Sequence, residues 1–304
     1  MKEELFEYNP QILARISSLK IRASHLVDGL LTGSHRSRHK GSSVEFAEYK
    51  DYTPGDEIKH IDWKVVGKTD KYHVKQFEQS TNLKCSILLD ASGSMGYASP
   101  FERELSKFDY ACTLAAAFSF LLLKQFDAVG LSLFNDGLID HIPPRSKPSH
   151  FQHILHKLAT IETQGPTRIE QVATSLAERS SGRGMAIIIS DLLTPDDQLP
   201  KALKLLTSRG LEVMLFQVLD PDEVSLPFEG DTVFESLEDD PTVGLDPFDI
   251  RAEYQQEIQN QIQSHRSACD SIGVGYEFLE TTTPLAQALS YFLLKRNSWM
   301  QRWS

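Results

Sequence analysis

An α/β fold with a mostly parallel sheet is what this chain predicts, and three observations carry the prediction. From Leu83 onward, short apolar runs alternate with segments of helical periodicity. The runs Ile87-Leu88-Leu89 and Ile187-Ile188-Ile189 are apolar without alternation, as strands covered on both faces are. Only Asn135-Asp136-Gly137 separates two further strand-like segments, which is hairpin spacing and makes that one pair antiparallel.

The first element is a helix. Asn9-Pro10 supplies a cap and a proline at the first helical position, and Ile12, Leu13, Ile16, Leu19, Ala23, Leu26, Val27 and Leu30 then recur at helical spacing up to Gly33. A basic connection follows, with His35, Arg36, Arg38, His39 and Lys40; it reads as solvated, with contact to an anion or a partner as the sharper alternative. From about 43 to 79 the pattern is of short strands around a turn, Thr53-Pro54-Gly55-Asp56, and a short helix turning Ile58, Ile61 and Trp63 inward. Strands are then predicted at 83–90, 128–135, 138–142, 184–190, 211–219 and 273–279. Helices are predicted at 103–125, 148–160, 168–181, 196–209, 248–272 and 284–296. Residues 221–246 form an acidic insertion, read as a hairpin beside the 43–79 segment. The division is therefore an N-terminal helix (1–32), a β-rich segment (33–82) and a main α/β domain (83–304). The C-terminal Trp299-Met300-Gln301-Arg302-Trp303-Ser304 reads as a packed or frayed end, with a partner or membrane-surface contact as the alternative.

A chain of 304 residues can bury a sizeable core, and its net charge of −11 disfavours general binding to nucleic acid or anionic membranes. No apolar run is long enough to cross a bilayer, and Met1–Glu7 lacks the basic and apolar regions of a secretory signal. Cys85, Cys112 and Cys269 have no ligand spacing and read as small buried residues. The expectation is a cytoplasmic protein.

The chemistry gathers at strand ends. Asp90-Ala91-Ser92-Gly93-Ser94 delivers a carboxylate and two hydroxyls at the end of the first strand of the sheet. Asp191 ends the 184–190 strand, and Thr167 lies in Gln164-Gly165-Pro166-Thr167 just before a helix. Singly, each reads as a cap or turn residue. Together, in a sheet that binds ligands beyond the carboxyl ends of its strands, they form a set of hard oxygen donors. Such donors suit Mg2+, with Mn2+ as the alternative, better than zinc.

Asp90-Ala91-Ser92-Gly93-Ser94-Met95 resembles the metal-ion-dependent adhesion site of von Willebrand factor A domains. Tyr52-Thr53-Pro54-Gly55-Asp56, Ile61-Asp62-Trp63-Lys64 and Val74-Lys75-Gln76-Phe77-Glu78 resemble the signature of the bacterial "domain of unknown function 58" family, as do Asp220-Pro221-Asp222-Glu223 and Thr283-Pro284-Leu285. The resemblance implies a von Willebrand factor A-like, Rossmann-like fold with a six-stranded sheet, helices on both faces and a small β-rich accessory region. It implies Asp90, Ser92, Ser94, Thr167 and Asp191 as direct or water-mediated metal ligands, with a partner's carboxylate completing the site. It also implies a MoxR-type AAA+ ATPase as partner, in chaperone-like assembly or metal insertion. The family pattern has Gly-Gly-Thr where this chain has Gly165-Pro166-Thr167, and Thr163 is the alternative donor. Trp63 reads as a packing anchor, and Tyr52 and Asp62 as structural hydrogen-bonding residues or a partner surface.

The leading function is a non-enzymatic, metal-dependent protein-interaction module, since neither a Gly-x-Ser-x-Gly elbow nor a phosphate-binding P-loop is present. The alternative is a metal-dependent phosphohydrolase built on Asp90, which would want a second acid two residues on, where Ser92 stands. Nucleic-acid binding through Arg36, Arg38 and Lys40 is disfavoured by the overall acidity.

Overall fold

The computed structural model describes residues 10–34, 46–51, 73–77, 83–100, 105–179, 182–193, 198–238 and 242–303. The chain divides into two compact units, Met1–Gly33 with Leu83–Ser304, and Ser34–Asn82.

The larger unit holds helix α1 (Pro10–Ser34) and the main sheet. In chain order come β3 (Lys84–Asp90), a single 3-10 turn at Ser94–Gly96, α2 (Lys107–Lys124), β4 (Ala128–Phe134) and β5 (Leu138–Arg145). They are followed by α3 (Ser149–Thr160), α4 (Ile169–Arg179), β6 (Gly184–Ser190), α5 (Gln198–Ser208), β7 (Leu211–Leu219) and α6 (Pro221–Ser225). A small antiparallel hairpin of β8 (Thr232–Glu235) and β9 (Thr242–Leu245) precedes α7 (Pro247–Ile272), β10 (Gly275–Glu280) and α8 (Leu285–Trp303). The smaller unit shows β1 (Phe46–Asp51) paired antiparallel with β2 (His73–Phe77). Asp56, Ile58, Trp63, Tyr52, Asp62 and the basic 35–40 loop lie outside the described residues, as does most of the 43–79 segment beside which the acidic hairpin was expected.

The six-stranded sheet has the order β10-β7-β6-β3-β4-β5 and is parallel except at the β4–β5 hairpin. The unalternating apolar strands have the predicted cause. Cys85, Ile87 and Leu89 of β3 face one core, with Leu19 of α1, Phe118 of α2, Leu158 of α3 and Phe292 of α8. Leu88 faces the other, with Val172 of α4, Leu203 of α5 and Ile262 of α7. Helices thus cover both faces, and the α/β class agrees with the expectation.

Three element ends depart from it by three residues or more, the first being helix α2, which was expected from 103 and begins at Lys107 after its Ser106 cap. The last helix, expected to stop at 296, runs to Trp303 because no breaker intervenes and Trp299 is buried in the first core. Strand β5 continues through Pro143 and Pro144 to Arg145, which an edge strand tolerates because its outer side needs no ladder donors.

The topology positions the site. From β3 the chain first winds outward through β4 and β5, then returns to add β6, β7 and β10 on the other side of β3. The reversal falls between β3 and β6, whose carboxyl ends carry Asp90 and Asp191. In an open α/β sheet, that is where a ligand crevice forms.

Candidate metal centre

Parallel pairing of β3 with β6, with Leu89 opposite Ile189, brings the two strand-end aspartates side by side. The loop after β3 is stitched to the threonine loop by two backbone bonds: Gly93 N–H donates to Gly165 O at 2.8 Å, and Gln164 N–H donates to Ala91 O at 2.9 Å. Arg168 N–H donates to Asn135 O at 2.9 Å, and the Asn135 side chain donates to Gln164 O at 2.9 Å. None of these bonds uses an N–H at position 166, so Pro166 costs the loop nothing. Gly165, at φ 71°, makes the left-handed step that a β-carbon would strain.

Asp90, Ser92, Ser94, Thr167 and Asp191 are all buried, with Ser94 the most exposed at 8%. The Thr167 hydroxyl donates to Asp90 Oδ2 at 3.1 Å, and Ser92 N–H donates to Asp90 Oδ1 at 2.9 Å. Ser92 Oγ and Ser94 Oγ lie 3.1 Å apart. Four of the five candidates are therefore linked around the Asp90 loop. Thr163 is not; its hydroxyl lies against Gly96, 2.7 Å from where a β-carbon there would sit.

Asp191 is turned to other partners. Its Oδ2 accepts from Lys107 Nζ at 2.7 Å and its Oδ1 from Leu193 N–H at 3.3 Å. The residue after it, Leu192, is buried at φ 59°, a left-handed conformation that costs a leucine about 1 kcal/mol and is held by its burial and by its N–H bond to Ser190 Oγ. Asp191 is thus delivered by a backbone bend that the core enforces.

Three residues of the site escaped sequence reasoning. Ser190 donates its hydroxyl to Asp90 Oδ2 at 2.5 Å. Lys107, in the first turn of α2, is 0% exposed and also reaches Glu223 Oε1 at 2.6 Å. Glu223 in turn uses Oε2 to accept Asp220 N–H at 2.8 Å, so one carboxylate both caps α6 and binds the lysine. A signal for Lys107 existed: it shares a helical face with Ala111, Leu114 and Phe118, all in the core. A cation at a helix N-terminus opposes the helix dipole, so only the two carboxylates hold it there.

The electrostatics follow from burial. Burial, then the neighbouring Asp191, push the Asp90 carboxyl up to about 7, against the pull of Ser190 and Ser92. Burial alone would lower the Lys107 ammonium, but Asp191 and Glu223 outweigh it and hold the ammonium above its ordinary value. Around Asp90, Asp191 and Glu223, Lys107 is the one cation among the described contacts.

The donor set fits a small hard cation: two carboxylates and several hydroxyls, with water free to complete an octahedron. Among the described residues no group of three or more His, Cys, Asp and Glu side chains is placed to hold a metal ion, so hydroxyls and water would have to supply most of the ligands here.

Comparison with known proteins gives a family and distant structural likenesses. The family model described as "Protein of unknown function DUF58" matches residues 48–265. The uncharacterized protein Rv1480 of Mycobacterium tuberculosis (strain ATCC 25618 / H37Rv) is 31% identical over 234 residues, 76% of this chain and 72% of that protein. The uncharacterized protein YeaD of Bacillus subtilis (strain 168) is 24% identical over 181 residues, 59% of this chain and 42% of that protein. Among solved structures, the conserved hypothetical protein BatB from Bacteroides thetaiotaomicron superposes with a TM-score of 0.48 at 18% identity, over 71% of this chain and 99% of that one. The SpRpn10 VWA domain gives a TM-score of 0.41 at 10% identity, over 69% of this chain and 94% of that one.

Proposed function

The chain belongs to the DUF58 family of proteins of unknown function, and from the geometry of its site we propose that it is a Mg2+-dependent protein-interaction module of the adhesion-site type. The observation that carries this reading is that Asp90, Ser92, Ser94 and Thr167 form one buried, hydrogen-bonded cluster at the switch point beside Asp191, with too little positive charge for the carboxylates gathered there. Asp90, the two serines and Thr167 would hold the metal. Asp191, already engaged by Lys107, would act on it through water. Bound Mg2+ supplies one thing these residues lack, an open coordination position for a carboxylate oxygen of another protein. Mn2+ meets the same requirements.

The partner we propose is a MoxR-type AAA+ ATPase, with this chain linking that motor to a client in chaperone-like assembly or metal insertion. The proposal rests on the family resemblance of the early segment and of Asp220–Glu223. A phosphohydrolase would need an acid where Ser92 stands, and Lys107, which could neutralise a phosphoryl group, is committed to two carboxylates.

The test is capture of a MoxR-type AAA+ ATPase on immobilised protein, in Mg2+ and in chelator, with wild type and Asp90→Ala. Capture by wild type in Mg2+ alone is the expected result. Equal capture by both proteins in chelator would sink the metal-dependent reading.

A further inference from the structure

Helix α7 reaches the metal site through a buried amide. The pairing of β6 with β7 ends with Ser190 opposite Gln217. Two residues on, the backbone bends at Leu192, whose side chain packs in the second core. The bend takes the Asp191 carbonyl past the end of the ladder and leaves it in the interior, where an unpaired acceptor is costly. Gln217 meets it from the neighbouring strand. Its Nε2 donates to Asp191 O at 3.1 Å, and both residues are 0% exposed.

Gln217 breaks the pattern of its own strand. Val213, Leu215 and Leu219 share its face of β7, and all three belong to the second core. On α7, His265 likewise interrupts the apolar stripe of Ile258, Ile262 and Cys269. These two polar intrusions are each other's partners. His265 Nδ1 lies 3.1 Å from Gln217 Oε1, and Tyr276 of β10 donates its hydroxyl to the same oxygen at 2.7 Å. The Arg266 guanidinium covers the Tyr276 ring from 5.1 Å.

Elementary chemistry fixes the orientation. A carbonyl oxygen can only accept, so the amide nitrogen faces Asp191 and Oε1 faces the other two groups. Oε1 also only accepts, so His265 carries a proton on Nδ1. Turning the amide over would set two acceptors against each other at Asp191. The carboxylate of Asp191 is already held by Lys107 at Oδ2 and by Leu193 N–H at Oδ1. Gln217 fixes the peptide from which that side chain leaves.

We infer that Gln217 is a positioning residue for the metal site: its amide, locked by His265 and Tyr276, sets the direction in which Asp191 presents its carboxylate. This rests on the metal reading above. It gives α7 and β10 a share in metal affinity through groups that touch neither the metal nor a ligand side chain. Partners of this indirect kind typically change metal affinity by about 10–100-fold.

The test uses Mn2+ as probe on the full chain, with free ion and the line shape of bound ion both read by electron spin resonance. Asp90→Ala should abolish binding, which tests the metal site itself. Gln217→Met keeps the length of the side chain and removes its polar atoms; it should bind Mn2+ roughly tenfold more weakly and change the bound line shape. Tyr276→Phe removes one lock and leaves the bond to Asp191, so it should shift both readouts in the same direction by less, and it decides the matter if Gln217→Met does not fold. Arg296→Met, destabilised at the opposite end of the sheet, should bind as wild type does. If the Gln217 and Tyr276 variants lose stability but keep the wild-type affinity and line shape, Gln217 serves the core alone and the inference fails while the metal site stands. Equal weakening in Arg296→Met would also overturn it, by assigning the effect to general loosening. Mn2+ that does not bind wild type, or that still binds Asp90→Ala, would remove both readings.

Discussion

At its amino end strand β3 meets the buried Asp127, and at its carboxyl end it runs into the buried Asp90. Asp127 accepts Leu83 N–H at 3.2 Å and is paired with Arg296 of α8 at 2.5 Å. Among the described residues, Asp90 accepts from neutral donors: Ser92 N–H and the hydroxyls of Thr167 and Ser190. Burial pushes both carboxyls up, Asp127 to about 6 and Asp90 to about 7. The next largest influence has opposite sign at the two ends. At Asp127 it is the Arg296 guanidinium, which lowers; at Asp90 it is Asp191, which raises. At the amino end the cation meets the buried aspartate directly, whereas at the carboxyl end Lys107 meets Asp191 and Glu223 and leaves Asp90 to hydroxyls and an N–H, which is where the proposed metal would sit.

The comparison can be broken at either cation. Lys107→Met leaves Asp191 and Glu223 buried without their common partner, and should destabilise the protein by roughly 3–5 kcal/mol in chelator. Arg296→Met should cost somewhat less, about 2–3 kcal/mol, because Arg296 is partly exposed and water can reach the site. Denaturant titration measures both. Millimolar Mg2+ should recover part of the first loss, because a cation at the carboxyl end relieves the same carboxylates, and none of the second. Equal recovery of the two variants would mean that the ends of β3 do not differ as described.

What could be read in the sequence follows the same division. Strand and helix positions were legible because both faces of the sheet are covered, so local apolar runs and helical spacing carry the information. That Asp90, Ser92 and Ser94 lie together was legible because they are close in sequence, that Asp191 lies near them because strand ends in a parallel sheet converge, and that Thr167 approaches because its loop opens a helix at the same end of the sheet. Ser190 was hidden by its place in an apolar run, where a small hydroxyl reads as tolerated filler. Lys107 was hidden by its charge, although its helical face marked it as buried. The backbone contact that keeps position 93 a glycine, with Leu237 O only 2.0 Å from where a β-carbon would lie, was not legible at all, since it joins positions well over a hundred residues apart.

The smallest predicted effect concerns Asp90 itself and changes with pH. Its carboxyl holds a proton more tightly in the folded protein, about 7, than in the unfolded chain, 3.8. Stability from this group is therefore full at low pH and is lost as pH rises from about 4 toward 7, where the unfolded chain releases the proton more readily. Asp90→Asn has no such proton to lose. In chelator the variant should match or slightly trail wild type at pH 5, then exceed it at pH 8. A tenfold tighter hold on a proton is worth about 1.4 kcal/mol, and the difference between the variants should grow by at least that amount. Saturating Mg2+ should reverse the order at pH 8 by stabilising wild type alone, because on the proposed metal reading only the ionised aspartate would bind it. A difference independent of pH would mean that Asp90 is not the strained carboxylate at this end of β3, and that the contrast with Asp127 lies elsewhere.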